Sequence, residues 1–290
     1  MDYAMLYFMP AIILSGTSTR DFLLPVLIER IGKLSRTPKL AIIQVGNRPD
    51  STSFINGKKA FAARIGVIVD HTQLPESVSQ EELVKLISER NADASIQGII
   101  LQLPIPAHID RDTALNAIDP RKDVDALTSY RIERWTKGGS KALFPATARG
   151  IRELLEHYEI NLKGKKVCVV GRSALVGTPI ACMCRNEGAT VTVCHSKTPD
   201  VASETRLADI VIAAIGKPRF IQGEYVKEGQ VVIDVGISKS LEEKLAGDVD
   251  FEAVKEIVSA ITPVPGGVGP MTVLGLFENL VDLCGMSDTV

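Results

Sequence analysis

The sequence predicts an α/β protein made of two parallel-sheet domains flanking a cleft. Apolar runs of strand length alternate with helical patterns along almost the whole chain, which is how consecutive βα units read. These runs fall into two groups, parted near the middle by "RWTKGGSKALFPATARG", whose Gly, Ser and Lys content marks a loop. The chain also has material for two cores, since 45% of its 290 residues are apolar.

The opening "MDYAMLYFMPAIILSG" is interrupted by Pro10 and carries Asp2 where a secretory leader has a basic segment. It is also too short to span a bilayer, so 10–14 is expected to form part of a core element. Strands follow at 40–45, 67–71 and 96–103, separated by helices near 51–65 and 79–91. After the central loop, Thr147 can cap a helix that runs to about His157 and bridges the domains. The second group has strands at 167–170, 190–194, 209–215, 231–235 and 258–261, then a final helical pattern at 272–283. The expected division is 1–145 for the first domain, completed by a C-terminal helix over 271–290, and 146–270 for the second.

Composition narrows the function classes. The formal net charge is −2 and no Lys/Arg block occurs, which argues against a nucleic-acid or anionic-membrane partner. A cytoplasmic protein is the default. Five cysteines (Cys168, Cys182, Cys184, Cys194, Cys284) lie mostly in apolar runs, and neither C-x-x-C nor H-E-x-x-H spacing occurs. Cys182 and Cys184 fall within a helical pattern that points their sulfurs apart, so reduced buried thiols are expected and no metal site.

"VVGRSALVGTP", 169–179, joins a strand to a helix opened by Thr178-Pro179, the βα geometry that offers backbone N–H groups to an anion. Its spacing departs from G-x-G-x-x-G: with Gly171 first, Ser173 and Val176 stand where glycines should, and Gly177 comes one residue late. Ser173 adds a hydroxyl donor. The next strand ends in Cys194-His195-Ser196-Lys197, without the carboxylate that bonds an NAD ribose, whereas Arg172, Ser196 and Lys197 would suit a 2′-phosphate. The alternative is an ordinary α/β connection with Arg172 and Lys197 as solvated loop charges.

Phe54, Lys58, Phe61 and Ile65 recur at spacings of four, three and four, so they share one helix face and Lys58 interrupts an apolar stripe. Either its stem packs on the core while the ammonium reaches water, or its apolar setting lowers its pKa for use as a base. Lys59 falls off the stripe and reads as surface. Gln102 ends a strand where open α/β sheets collect ligands, though it could equally satisfy nearby backbone. Asp123 and Asp125 in "KDVDALT" read as a solvated acidic loop or as acceptors for a ligand. "PVPGGVGPMT", 263–272, is expected to be a stiff loop, because a strand precedes it, a helix follows, and its prolines fix φ.

Taken together, "VGNRPDSTSFINGKKAFAARIGV", "GIILQLPIP", "DPRKDVDALT", "GRSALVGTP", "TVTVCHSKT", "VVIDVGI" and "ITPVPGGVGPMT" resemble, in the same order, the methylenetetrahydrofolate dehydrogenase/cyclohydrolase (FolD-type) family. The resemblance covers nearly the whole chain. It implies a Rossmann-like NADP-binding second domain, a homodimer, and tetrahydrofolate derivatives as substrates. Oxidation of 5,10-methylenetetrahydrofolate to the methenyl form and its hydrolysis to 10-formyltetrahydrofolate are the implied activities.

The family pattern S-x-x-Y-x-x-x-K lands on Ser51, Phe54 and Lys58, implying Lys58 as the catalytic lysine, oriented by Gln102, and Asp125 as the holder of the pterin edge. Phe54, Lys58, Gln102, Asp125, Pro265, Gly266 and Gly267 are the implied substrate contacts. Gly171, Arg172, Ser173, Val176, Gly177, Ser196 and Ile237 are the implied cofactor contacts. The chain departs from the family at Phe54 (usually Tyr), Ala126 (usually Gly), Ser15 (usually Asp) and "FPATARG" (usually containing P-C-T-P). Two rival expectations follow: a dehydrogenase with little cyclohydrolase activity, or a folate-binding or oligomer-partner protein without catalysis.

Overall fold

The computed structural model describes residues 10–138, 142–239 and 245–287. Met1–Met9 of the opening segment and Gly139–Lys141 of the central loop therefore lie outside the described residues. The strands are β1 (Ile12–Ile13), β2 (Lys39–Val45), β3 (Ile68–Leu74), β4 (Gly98–Gln102), β5 (Lys166–Val170), β6 (Thr190–Cys194), β7 (Ile210–Ala213), β8 (Val231–Asp234), β9 (Ser238–Lys239), β10 (Leu245–Ala246) and β11 (Ala260–Ile261). The helices are α1 (Gly16–Gly32), α2 (Pro49–Ile65), α3 (Gln80–Ala92), α4 (Arg111–Asn116), α5 (Ser129–Lys137), α6 (Ala146–His157), α7 (Gly177–Asn186), α8 (Val201–Leu207), α9 (Phe251–Val254) and α10 (Val268–Ser287). Among the described residues no helix is long and apolar enough to cross a membrane, and no three His, Cys, Asp or Glu side chains group as metal ligands.

The chain divides into two compact units. One comprises Thr19–Glu153 with the chain from Met271 onward and holds a parallel three-stranded sheet in the order β3-β2-β4. Central β2 is buried from Leu40 to Val45, and β4 is buried throughout, as expected of parallel strands covered on both faces. Pro49 sets the first turn of α2, and Gly66, at φ +74, ends it. Ser79 and Glu82 close a reciprocal capping box on α3. Gly98 is required by packing: a Cβ there would lie 2.3 Å from Val124 and 2.6 Å from Leu280. The Phe61 and Phe277 rings meet at 5.4 Å, joining α2 to α10.

The other unit comprises the chain up to Ser18 and Leu154–Pro270, and its parallel sheet runs β1-β11-β8-β7-β5-β6. The chain passes from β5 to β6 on one side and then to β7 on the other, opening a crevice at the carboxyl ends of β5 and β7. In the three-stranded unit the same reversal falls between β2 and β4.

This division differs from the expected 1–145 and 146–270 at both boundaries. The N-terminal strand belongs to the second sheet, because Ile12 donates to the Ser259 carbonyl and Leu14 to that of Ile261, both at 2.8 Å. Ile12 is 59% exposed on this sheet edge while Leu14 is buried, so only part of the 10–14 run is core. The later boundary falls inside α6, and that helix begins at Ala146, one residue before Thr147. Thr147 is thus not its cap. Its hydroxyl accepts from that of Thr272 at 3.3 Å.

Candidate functional site

The first constellation lies at the reversal point of the three-stranded sheet. Lys58 projects from α2, and its Nζ donates to Gln102 Oε1 at 2.9 Å. The Gln102 amide nitrogen donates to the Leu103 carbonyl at 2.8 Å. Both readings of Gln102 therefore hold: one end of its amide satisfies backbone, which turns the other end toward the lysine. Burial holds the Lys58 pKa below the ordinary lysine value, while the charge of Asp125 opposes that shift. Burial likewise raises the Asp125 carboxyl, with Lys58 pulling it back down and Asp123 adding to the rise.

Asp123 and Asp125 are used differently. The buried Asp123 carboxylate accepts the Thr128 N–H at 2.8 Å and so ties the 123–128 turn. Half-buried Asp125 instead faces the electrostatic field of Lys58. Between Asp125 and Thr128, Ala126 has φ +54, the left-handed region that glycine occupies without strain. Its carbonyl accepts from Trp135 Nε1 at 3.1 Å, which holds that conformation.

The expected stripe is buried at Phe61 and Ile65 and departs at Phe54. Ser51, Ile55, Ala62 and Ile65 are buried and flank Lys58 at spacings of four, three, four and three, whereas Phe54 is 51% exposed. The buried face is therefore wider than one stripe toward the end of α2, while in its first turn the small Ser51 turns inward in place of Phe54. Its hydroxyl is buried without a hydrogen-bond partner among the described residues.

Lys59 is also not a plain surface residue. Its Nζ lies 2.8 Å from His71 Nδ1, His71 Nε2 lies 3.0 Å from Gln44 Oε1, and the Gln44 amide nitrogen donates to Thr52 at 3.2 Å. This pattern requires a neutral His71 with its proton on Nε2. Burial, then the Lys59 charge, lowers its pKa against an opposing effect of Asp70. The chain of bonds returns to α2 at Thr52 and Lys59. No local sequence signal joins these four residues.

In the six-stranded unit, a pocket of about 450 Å³ opens where β5 and β7 part, lined by Gly171, Arg172, Ser173, His195, Ser196 and Lys217 among others. Gly171 has φ +127, and a Cβ on it would lie 2.1 Å from the Ala214 carbonyl oxygen. A Cβ on Gly177 would in turn lie 2.2 Å from the Gly171 carbonyl oxygen. The late glycine therefore keeps the close helix-to-turn packing that the usual third glycine provides.

Ser173 Oγ accepts from the Val176 and Gly177 N–H groups at 3.2 and 3.3 Å, so these amides already have a partner inside the loop. The longer turn must cap itself, and it takes the serine hydroxyl to do so. Val176 and Gly177 form the base of the turn, outside the pocket lining, and Lys197 is also absent from that lining. The backbone N–H of Lys197 bonds His195 Nδ1 at 3.1 Å. Lys217 has no motif around it in the sequence; it follows β7, and the sheet order places it in the lining of the same pocket as Arg172.

A second pocket in this unit, about 470 Å³, is lined by Asp234, Gly236, Ile237, Pro265, Gly266 and Gly267 with their neighbours. Ile237 thus joins the proline-glycine loop and not the Arg172 pocket. The Gly266 carbonyl accepts from the Thr17 N–H at 3.0 Å, and a Cβ on Gly267 would lie 2.5 Å from the Pro263 oxygen, so the loop is pinned at both places. The residues expected to meet ligand form three groups: Phe54, Lys58, Gln102 and Asp125 in one unit, and the two pockets in the other.

Comparison with known proteins bears on what these groups serve. The family model for the catalytic domain of tetrahydrofolate dehydrogenase/cyclohydrolase matches residues 14–125, and the model for its NAD(P)-binding domain matches 145–287. The chain belongs to the tetrahydrofolate dehydrogenase/cyclohydrolase family. It is 48% identical over 243 residues to the bifunctional protein FolD of Agathobacter rectalis, covering 84% of this chain and 87% of that one. Its fold matches the bifunctional FolD enzyme of Campylobacter jejuni with a TM-score of 0.92 at 40% identity, covering 95% and 99% of the two chains. The Trypanosoma brucei FolD, solved with NADP cofactor and an inhibitor, gives 0.92 at 35% identity, covering 97% and 100%. Within this family's two domains, Lys58, Gln102 and Asp125 fall in the catalytic match, while the Arg172 pocket and, apart from Thr17, the lining of the second pocket fall in the NAD(P)-binding match.

Proposed function

We propose that the protein oxidises 5,10-methylenetetrahydrofolate with NADP and hydrolyses the resulting 5,10-methenyl compound to 10-formyltetrahydrofolate. The observation that carries this reading is the 2.9 Å bond from Lys58 to Gln102 at a sheet reversal point, in the field of Asp125. In hydrolysis, neutral Lys58 takes a proton from the water that adds to the amidinium-like methenyl carbon. It then returns that proton to the ring nitrogen as the carbon–nitrogen bond opens, and the hydroxyl on the former methenyl carbon releases its own proton to solvent to leave the formyl group. Gln102, its amide fixed by the Leu103 carbonyl, holds the Lys58 ammonium in line. Asp125 accepts from the guanidine-like edge of the pterin, and exposed Phe54 offers a ring face without the hydroxyl of a tyrosine.

NADP supplies the hydride acceptor when bound. The Arg172 pocket suits it, because Arg172, Ser173, Ser196 and Lys217 surround a cavity whose strand end lacks the carboxylate an NAD ribose would use. Ile237 would flank its nicotinamide end, and the Pro265–Gly267 backbone would meet the folate beside it. Loss of the guanidinium in Arg172→Ala should raise the NADP KM roughly three- to tenfold, the scale of an exposed charge-assisted bond, and leave the NAD KM nearly unchanged. Equal changes for the two cofactors would remove Arg172 from 2′-phosphate recognition.

A spectrophotometric assay with methylenetetrahydrofolate and NADP tests the reading as a whole, since reduced nicotinamide and the methenyl product both absorb. Absence of both signals from folded protein would refute it. A homodimer and a cytoplasmic location complete the proposal and rest on the family resemblance; light scattering on the purified chain checks the first.

A further inference from the structure

Asp248 is fully buried, yet it lines neither pocket. Its Oδ2 accepts two consecutive backbone N–H groups, those of Ile215 at 2.6 Å and Gly216 at 2.9 Å. These residues follow β7, and Ile215 and the preceding Ala214 line the Arg172 pocket. Ala214 is also the residue whose carbonyl stands where a Cβ on Gly171 would be, so the β7 loop and the glycine turn share one packed contact. A shift of either loop must therefore move the other.

On its opposite side, the Asp248 N–H donates to Asp234 Oδ1 at 2.9 Å, and the same oxygen accepts the Gly236 N–H at 2.9 Å. Asp234 Oδ2 takes the Val249 N–H. Asp234 and Gly236 line the second pocket. Gly236 and Gly247 are both demanded by this arrangement, since Cβ atoms there would lie 2.4 Å from Asp248 Oδ1 and 1.9 Å from Asp234 Oδ2. Asp248 Oδ1 itself has no hydrogen-bond partner among the described residues. A carboxylate buried with one oxygen unbonded costs more than an apolar residue would in the same space, so packing alone does not account for it.

We infer that Asp248 is a positioning residue for the dinucleotide site, holding the Ile215–Gly216 loop of one pocket and, through Asp234, the Gly236 loop of the other in a single register. This rests on the proposed NADP role of those pockets. Adenosine-side and nicotinamide-side walls then keep a fixed spacing, although no atom of Asp248 touches the ligand.

The test measures NADP affinity directly, by titration calorimetry on the full chain, alongside turnover. Asp248→Ala removes the shared acceptor and should weaken NADP binding about tenfold, the scale of leaving buried amides unbonded. Asp248→Asn retains an oxygen able to accept both amides and should bind NADP within about threefold of the parent. If Asp248→Ala does not fold, Asp248→Ser takes its place, its hydroxyl being too short to span both amides. Unchanged NADP affinity in the truncated variant would overturn the inference, as would truncated variants that cannot fold beside a normal Asp248→Asn, which would make Asp248 a folding determinant only. Failure of the parent protein to bind NADP would instead refute the proposed function.

Discussion

Lys58→Met is expected to lower cyclohydrolase turnover by roughly two to four powers of ten while dehydrogenase activity persists, the usual reach of general acid–base assistance. The two steps separate because hydride loss from methylenetetrahydrofolate is pushed by its own nitrogen lone pairs, whereas water addition needs a proton acceptor and later a donor. Methionine keeps the apolar bulk between Ile55 and Ala62 and removes only the ammonium, so the fold should stand. Methenyltetrahydrofolate should then accumulate and decay at its spontaneous rate. Hydrolysis at the parent rate by folded Lys58→Met protein would end the catalytic assignment.

The pH profile gives an independent sign. A lysine acting as base must be neutral, and burial holds Lys58 below the ordinary lysine pKa. Hydrolytic turnover should therefore rise with pH through that lowered value, and the rise should vanish in Lys58→Met.

Asp125→Ala should depress both activities together, because an anchor for the pterin serves both reactions. The expected loss is about 1.5 to 3 kcal/mol for a charged hydrogen-bond partner, or roughly one to two powers of ten in kcat/KM. Asp125 also raises the Lys58 pKa, so its removal should move the alkaline rise of residual hydrolysis to lower pH. A purely structural aspartate would leave that rise in place. Full activity in the variant would move the anchor elsewhere, and Asp123 is a poor substitute because its carboxylate already holds the Thr128 N–H.

The αβ alternation and eight of the eleven described strands are legible in the order of residues, because strands show as short apolar or alternating runs and the intervening helices show a 3.6-residue period. Thr190–Cys194 was legible to the residue. Short patterns and the family resemblance single out Lys58, Gln102 and Asp125, and the structure brings Lys58 and Gln102 into contact. Which of these patterns meet depends on sheet order and on how the loops close. β1 pairs with β11 across most of the chain, so the N-terminal strand joins the second sheet, which contiguity along the chain does not reveal. Ser173 became the cap of its own turn, Lys59 found His71, and Asp248 came beneath the β7 loop. Each of these is a hydrogen bond whose partner is chosen by strand order and loop closure. A local period specifies which face of an element is buried, but carries no information about which distant donor or acceptor waits there.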